Sequence, residues 1–267
     1  MKSLTSRDNP QYKELKQLAS SSSARRKSGQ SILDGVHLCQ SYLEHIGAPV
    51  LCVASETSLH HPEVASIVDE CENLGTRCLL LTKSLFAPLS QVENGIDIVF
   101  LITTPVMEVR PELMENAVLL DRVQDPGNLG SILRSAAAAG IRQIFCSPGT
   151  ASAWSPRVLR AGMGAHFLLE IFEDVSLDDL IRKSKITVIA TTPYTEKTIY
   201  DFNFTSPVAW LLGHEGQGVD EKLMAMASER LVIPHLGTME SLNVAASAAV
   251  CFFEQVRQRR SDFEKRS

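Results

Sequence analysis

The C-terminal part of the chain alternates short apolar runs with stretches whose apolar residues recur at helical spacing. The runs predict strands at 118–121, 143–146, 167–172, 186–191, 208–212 and 231–233. The stretches between them predict helices at 129–140, 156–163, 177–183 and 242–259. Strands that alternate with helices form a mostly parallel sheet covered on both faces, so the pattern predicts an α/β fold.

The N-terminal part has the same two periodicities over shorter distances. Helices are predicted over 11–19 and 61–73, and strands over 50–54, 78–81 and 96–102. The run SSSARRKSG after the first helix predicts a basic loop or a frayed helix end. We therefore expect a small α/β domain at 1–104, a linker at 105–116 that contains Pro105 and Pro111, and a second domain at 117–267.

Composition narrows the class of protein. With 267 residues, of which 44% are apolar, the chain has enough apolar surface for ordinary buried cores. The first residues have no apolar signal-peptide segment, and the longest apolar run, around 98–102, is too short for a bilayer, so we expect a cytoplasmic protein. The six cysteines form no CxxC pair, which indicates reduced, packed thiols and no metal site.

Charge is distributed unevenly along the chain. A net charge of −5 argues against a protein that coats nucleic acid indiscriminately. The first thirty residues nevertheless carry a local excess of Lys and Arg over acidic residues. These basic residues are Lys2, Arg7, Lys13, Lys16, Arg25, Arg26 and Lys27. The segment is either a nucleic-acid contact or a solvated helix face, and charge alone does not separate the two.

The first candidate loop follows the strand predicted at 118–121. In parallel α/β sheets, ligands bind beyond the carboxyl ends of strands, so polar residues there are candidates for a site. A turn with Asp125, Pro126 and Gly127 leads to Asn128, which is either the cap of the next helix or a site residue. Arg134 interrupts a helix otherwise made of Ile, Leu and Ala on the faces that should pack.

Two more loops follow predicted strands. In WLLGHEGQGV, Gly213, Glu215, Gly216 and Gly218 form either a ligand-binding turn or a tight turn with a solvated glutamate. The pattern is neither a phosphate loop nor a dinucleotide fingerprint. In LVIPHLGTMESLNVAASAA, the strand leads to Ser241 and Asn243 at a helix start, where Ser241 is either a cap or a site residue.

In this order, the three loops resemble the motifs of the SpoU (TrmH-like) branch of the SPOUT RNA methyltransferases. The resemblance covers about 118–256, and ESLNVAASAA after a proline loop is its most specific part. The motif residues are Asn128, Gly130 and Arg134, then Gly213, Glu215 and Gly218, then Ile233, Pro234, Ser241, Leu242 and Asn243. The N-terminal TSRDNPQYKELKQL, Arg25 and SILDGVHLC are similar to the L30e-like substrate-binding domain often fused to these enzymes. Two residues depart from the family pattern: Asp34 stands where Glu is usual, and His235 stands where Met is common.

The resemblance implies an S-adenosylmethionine-dependent 2′-O-ribose methyltransferase with a deep trefoil knot, acting on rRNA. It assigns the cofactor to Thr192, Gly213, Ile233 and Leu242, and the reaction centre to Asn128, Arg134, Glu215, Ser241 and Asn243. RNA would contact Arg7, Asn9, Lys13, Arg25 and Arg26. It also implies a homodimer, with which the apolar face of Val244, Ala248, Val250 and Phe252 is compatible. A tRNA 2′-O-methyltransferase and a non-catalytic RNA-binding or ribosome-assembly protein remain the alternatives.

Overall fold

The computed structural model describes residues 1–90, 95–108 and 112–259. Up to residue 105 the elements are β1 (Lys2–Leu4), α1 (Pro10–Ser20), α2 (Ser22–Ser28), β2 (Gln30–Asp34), α3 (Val36–His45), β3 (Leu51–Ser55), α4 (Pro62–Asn73), β4 (Cys78–Leu81), α5 (Lys83–Phe86) and β5 (Ile98–Thr103). Beyond it they are β6 (Ala117–Asp121), α6 (Pro126–Ala138), β7 (Gln143–Cys146), α7 (Pro156–Gly162), β8 (Glu170–Phe172), α8 (Leu177–Arg182), β9 (Thr187–Thr191), β10 (Val208–Gly213), α9 (Glu221–Met226), β11 (Glu229–Leu231) and α10 (Val244–Gln258). Short 3₁₀ helices cover Ser58–His60, Ala165–Leu168 and Ile199–Asp201.

The chain divides into two compact units. The first comprises Met1–Pro105 with Trp154–Phe167, and the second comprises Val106–Ala153 with Leu168–Ser267. The sequence places 154–167 in the C-terminal domain, whereas here the ring of Phe167 contacts Tyr42 edge-on at 5.4 Å. Apart from that segment, the boundaries 1–104, 105–116 and 117–267 stay predictions, and Pro111 of the linker lies outside the described residues.

The first unit contains a mixed sheet in the order β1-β4-β3-β5-β2. Strands β1, β4 and β3 are parallel, and β5 runs antiparallel to both β3 and β2. Leu15 and Leu18 of α1 are buried against this sheet together with Ile32 and Phe86. Burial of this apolar face fixes α1, because apolar area removed from water is the main favourable term in folding.

The second unit contains a sheet in the order β11-β9-β10-β6-β7-β8, in which every neighbouring pair is parallel. The predicted α/β class with a mostly parallel sheet is therefore confirmed. The register places Gly213, at the end of β10, opposite Asp121, at the end of β6. The loops that follow these two central strands consequently leave the sheet side by side. The trefoil knot and the L30e-like character of the N-terminal part stay predictions.

Several predicted elements need correction. The segment 21–29 is the helix α2, because Ser21 accepts a hydrogen bond from the Ala24 N–H (3.2 Å) and Gly29 ends the helix with φ 64°. The strand predicted at 167–172 shortens to Glu170–Phe172 after a 3₁₀ turn. The strand predicted at 231–233 is Glu229–Leu231. Strands β1 and β2 and helices α3, α5 and α9 are not foreseen, since their short apolar runs carry no decisive periodicity.

No helix among the described residues combines the length and the apolar character needed to cross a bilayer.

Candidate active site

A cavity lies at the carboxyl ends of β9, β10 and β11, within the second unit. Thr191 and Thr192 enter it at the end of β9, Gly213 at the end of β10, and Val232 just after β11. Parallel strands bring these ends to one edge of the sheet, where the loops between strands and helices provide ligand contacts. We call this cavity the donor pocket.

The donor pocket has a volume of about 300 Å³, at the lower end of the range of small-molecule sites. The structure brings together in its wall all four residues that the sequence assigns to the cofactor, Thr192, Gly213, Ile233 and Leu242. Glu215 and Glu240 also line it, whereas neither Lys nor Arg is among its described lining residues. Such a wall favours a cationic ligand over a phosphorylated one, because phosphate groups require basic partners.

Gly213 is glycine because the chain passes very close to it. A Cβ atom placed there would lie 2.2 Å from both the carbonyl carbon of Gly218 and the amide nitrogen of Val219. The 214–218 segment closes as a turn through hydrogen bonds from the His214 N–H to the Gly218 carbonyl (3.0 Å) and from the Gly218 N–H to the His214 carbonyl (2.8 Å). Any side chain at position 213 would displace the turn that forms the floor of the donor pocket.

Glu215 connects this turn to the turn that follows β6. Its Oε1 accepts hydrogen bonds from the Asp125 N–H (3.0 Å) and from Asn128 Nδ2 (3.0 Å). Its Oε2 accepts one from the Gln124 N–H (3.2 Å). The side chain is exposed, but its carboxylate is held by three hydrogen bonds and links the first two predicted motifs.

Asn243 connects the third motif to the other two. Its Oδ1 accepts hydrogen bonds from the Ala245 N–H (2.9 Å) and the Ala246 N–H (3.2 Å), which caps α10. Its Nδ2 donates to Asn128 Oδ1 at 2.8 Å. The side chains of Glu215, Asn128 and Asn243 thus form one continuous chain of hydrogen bonds, which we call the tethered trio.

The surroundings of Glu215 shift the pKa of its carboxyl group. Burial raises the pKa of this carboxyl group, but hydrogen bonds from Asn128 and from the backbone of Glu215, Asp125 and Gln124 outweigh it. The net effect lowers the pKa of Glu215 below its ordinary value. A carboxylate that accepts several N–H bonds stays ionised, which suits an acceptor and does not suit a general acid.

Arg134 and Ser241 differ from the trio, because their side chains have no hydrogen-bond partner among the residues that the structure describes. Arg134 lies on the exposed side of α6, and the helix packs through other positions that include Leu129, Ile132 and Leu133. The expectation that Arg134 interrupts a packing face is therefore wrong. Within 1–90, 95–108 and 112–259, neither the Arg134 guanidinium nor the Ser241 hydroxyl makes a hydrogen bond or ion pair.

The N-terminal caps of α6 and α10 are not the residues that the sequence suggests. Asp125, not Asn128, caps α6, and its Oδ1 accepts from the Asn128 N–H at 2.8 Å. Asn243, not Ser241, caps α10. The capping alternatives for Asn128 and Ser241 are therefore wrong: the Asn128 side chain bonds to Glu215 and Asn243, and Ser241 lines the donor pocket.

The two departures from the family pattern occupy different places. His235 lines the donor pocket, with its Nδ1 3.2 Å from the Met239 carbonyl. Asp34 is at the end of β2 in the first unit, where both of its oxygens accept from the Ser90 hydroxyl, at 2.9 and 3.0 Å. His235 therefore shapes the pocket wall, while Asp34 links the end of β2 to Ser90 in the first unit.

The residues predicted to contact RNA lie in the first unit, and three of them have partners there. Asn9 caps α1 by accepting from the Gln11 N–H at 2.9 Å. Arg25 donates from Nη1 to the Leu18 carbonyl at 2.7 Å, and burial lowers the pKa of its guanidinium. Lys13 pairs with Asp8 at 3.0 Å on the surface. Arg7 and Arg26 are exposed and have no hydrogen-bond partner among the described residues.

The pocket wall also contains residues that were not predicted from the sequence, such as Tyr194, Gln217 and Glu240. Tyr194 is 92% exposed and follows the carboxyl end of β9, so the strand-end rule applied to the other loops would have identified it. Gln217 and Glu240 lie in the second and third candidate loops, next to Gly216 and Ser241, so the same rule covers them as well.

Comparison with known proteins identifies the family. The profile of the SpoU rRNA methylase family matches residues 115–253, a segment that contains the donor pocket and the tethered trio. The chain belongs to the SpoU rRNA methylase family. This confirms the resemblance drawn from the three motifs, and with it the expectation that the protein is a methyltransferase.

Relatives of this SpoU family chain match over nearly its whole length. An uncharacterised tRNA/rRNA methyltransferase of Synechocystis sp. is 31% identical over 96% of this chain and 94% of its own length. The 23S rRNA (guanosine(2553)-2′-O)-methyltransferase RlmP of Bacillus subtilis is 29% identical over 95% of this chain and 98% of its own. Among solved structures, the AdoMet-bound rRNA methyltransferase of Sinorhizobium meliloti superimposes with a TM-score of 0.83 at 26% identity, covering 96% of this chain and 97% of that one.

Proposed function

We propose that this SpoU family protein methylates a ribose 2′-hydroxyl in large-subunit rRNA with S-adenosylmethionine as donor. The observation that carries the proposal is the junction of the donor pocket with the tethered trio: Glu215 lines the pocket and holds Asn128 at 3.0 Å. Relatives support the substrate, since RlmP of Bacillus subtilis and RlmB of Coxiella burnetii are named as 23S rRNA guanosine 2′-O-methyltransferases.

The donor pocket suits S-adenosylmethionine in both size and charge. The cofactor supplies a methyl group on a cationic sulfonium, and Glu215 and Glu240 are the carboxylates in the wall. Gly213, Ile233 and Leu242 would hold it largely through backbone groups, with Thr192 at the end of β9. The Sinorhizobium meliloti relative, whose structure contains AdoMet, has the same overall fold.

Arg134 is the proposed group for the ribose hydroxyl. Its guanidinium is exposed and has no partner within the described residues, so its donors are available to RNA. A guanidinium has a pKa above about 12 and hardly gives up a proton, which disfavours a literal general base. We assign it the stabilisation of the developing alkoxide and a grip on the adjacent phosphate. Asn128, Ser241 and Asn243 would orient the ribose.

The first unit is proposed to bind folded RNA through its basic leading segment. Arg7, Arg26 and Lys13 are exposed, and neither guanidinium has a hydrogen-bond partner in the described part of the chain, so these side chains are suited to phosphates. Asn9 and Arg25 would contribute mainly by holding α1 and α2. Folded RNA is recognised largely through its shape and backbone, which matches this role.

The proposal includes a homodimer through the second unit, but the exposed apolar surface is not the α10 face that the sequence indicates. Ala248 and Phe252 of the apolar α10 face are buried in the unit itself, so they do not form a free face as the sequence suggests. The exposed apolar residues of the second unit include Leu236, Met239 and Phe253, at 106%, 74% and 48%. Light scattering of the wild type and of Phe253→Glu tests whether they bury against a second copy. The cytoplasmic location also stays a prediction.

The deciding experiment uses purified protein, labelled S-adenosylmethionine, and separate rRNA and tRNA pools from cells that lack the protein. We expect label in 23S rRNA that appears, after digestion, as a 2′-O-methylated nucleoside, with guanosine examined first. Label only in tRNA would replace the substrate proposal. Cofactor binding without label in either pool would contradict the rRNA proposal, and absence of cofactor binding as well would favour a non-catalytic RNA-binding protein.

A further inference from the structure

Arg122 has a backbone conformation that its residue type rarely adopts. It follows the last residue of β6 with φ 55°, in the left-handed region that favours glycine. Its N–H donates to the Ser147 hydroxyl at 2.9 Å, which fixes the peptide in this orientation. Strained residues of this kind persist only where the surrounding structure holds them, and they cluster at functional sites.

The guanidinium of Arg122 forms a two-point pair with a buried carboxylate. Nε is 3.0 Å from Asp121 Oδ1, and Nη2 is 3.2 Å from Asp121 Oδ2. The Asp121 side chain is only 4% exposed, and its Oδ2 also accepts from the Asp220 N–H at 2.8 Å. Arg122 Nη1 reaches Gln217 Oε1 at 3.4 Å. The pair Asp121 and Arg122 at the end of β6 thus holds both Gln217, which lies in the 214–218 turn, and Asp220, which lies just beyond it.

The turn held in this way separates two cavities of the second unit. On one side, His214, Glu215 and Gln217 form part of the donor pocket wall. On the other side, Asp121, Arg122 and Asp220 line a cavity of about 470 Å³ at the ends of β6, β7 and β8. Among the described residues Arg122 belongs to the second lining only, so it acts on the donor through the turn rather than by contact.

We propose that Arg122 is a positioning residue. Together with Asp121 it fixes the 214–220 segment, so that the turn within this segment shapes the donor pocket and presents Glu215 to Asn128. The inference deepens the proposed function and rests on it for the identity of the donor. Without the guanidinium, the Asp121 carboxylate loses its charged partner and the Gln217 side chain its donor. The turn would then sample positions that no longer match the donor, which weakens donor binding before it changes chemistry.

Arg122→Gly is the informative variant because glycine adopts the left-handed backbone without strain, so only the side chain is lost. Arg122→Asn, which also tolerates that region, is the second variant if glycine impairs folding. The matched control is Asp174→Gly, which removes the side chain of another left-handed residue (φ 56°) lining the same cavity. Arg122→Lys keeps the charge but loses the two-point pairing.

Two readouts on the full-length protein test the proposal: the S-adenosylmethionine dissociation constant by calorimetry, and amide hydrogen exchange over 214–220 without ligand. For Arg122→Gly we expect about tenfold weaker binding, equivalent to about 1.4 kcal/mol, with faster exchange in the turn. Arg122→Lys should be intermediate, and Asp174→Gly should match the wild type. Unchanged exchange and affinity in Arg122→Gly and Arg122→Asn would overturn the proposal.

The readouts separate this proposal from the function on which it rests. If the wild type binds the donor but methylates no rRNA, the substrate proposal fails, while the affinity shift still judges Arg122. If the wild type binds no S-adenosylmethionine, the proposed function fails, and the exchange rates of 214–220 still decide whether Arg122 holds the turn. A kcat that falls with unchanged donor affinity and unchanged exchange would count against a positioning role.

Discussion

The tethered trio differs from Arg134 and Ser241, which are predicted to share its reaction centre, in how the polar groups are used. Glu215, Asn128 and Asn243 bind one another at 2.8–3.0 Å and tie three separate loops together. Arg134 and Ser241 make no such bonds within the described part of the chain. Side chains that are already partnered build the site, whereas those left free have their hydrogen bonds available for a substrate. The same contrast recurs in the first unit between Arg25 and Arg26.

The largest expected effect is at Arg134. Arg134→Ala should reduce methyl transfer by about 10²–10³-fold or more, since an unpartnered donor aimed at developing charge acts mainly in the transition state. Donor affinity and thermal stability should stay at wild-type values, because the side chain is exposed and makes no hydrogen bond or ion pair within the described residues. Single-turnover kinetics with labelled donor, with Arg134→Lys as the charge-retaining control, measures this. Substantial residual turnover in Arg134→Ala would sink the assignment.

Asn243 allows the two roles of a tethered residue to be separated. Asn243→Ala removes both the α10 cap and the link to Asn128, and loss of a cap costs about 0.5–2 kcal/mol of stability. Asn243→Asp keeps an oxygen for the cap but loses the donor to Asn128, so stability should be retained while transfer falls about tenfold. Urea denaturation and transfer rates, measured on both variants, test this. Equal stability losses in the two would show that the cap does not depend on the side-chain oxygen.

Arg25 and Arg26 extend the comparison to the first unit. Arg25→Ala should lower the free energy of unfolding by about 0.5–1.5 kcal/mol, because it removes the bond to the Leu18 carbonyl. Arg26→Ala should leave stability unchanged and reduce the salt dependence of RNA binding by the share of one phosphate contact, a slope of about 0.7–0.9. Filter binding over a salt series distinguishes them. An unaltered slope in Arg26→Ala would remove that residue from the RNA surface.

The smallest effect concerns pH. Because the pKa of Glu215 is lowered, its hydrogen bonds stabilise the fold fully above the unfolded-state pKa of about 4.3. That contribution is lost as pH falls through the lower folded-state pKa. The wild type should therefore lose slightly more stability on acidification than Glu215→Gln, in which this group does not titrate. Parallel urea titrations at neutral and acidic pH measure the difference, and identical pH profiles would contradict it.

The strand and helix pattern was the most predictable part of the fold. Strands β7 and β4 have the predicted bounds, and α4 and α8 differ from prediction by one residue at one end. Helix α2 is missed because its polar sequence has no apolar face, and its ends depend on the Ser21 cap and the left-handed Gly29. Periodicity reports burial, so an element that buries no side chain leaves no periodic signal.

By itself, the sequence determined which residue types stand at the strand ends, and this was enough to indicate the family and to group four residues of one pocket wall. Only the tertiary structure decided which of them are partnered. Hydrogen bonds between positions 87 and 115 residues apart, such as those that Asn128 makes with Glu215 and Asn243, depend on the parallel register that sets Gly213 beside Asp121. Local sequence specifies caps and periods, but contacts between loops exist only once the sheet has brought the strand ends together.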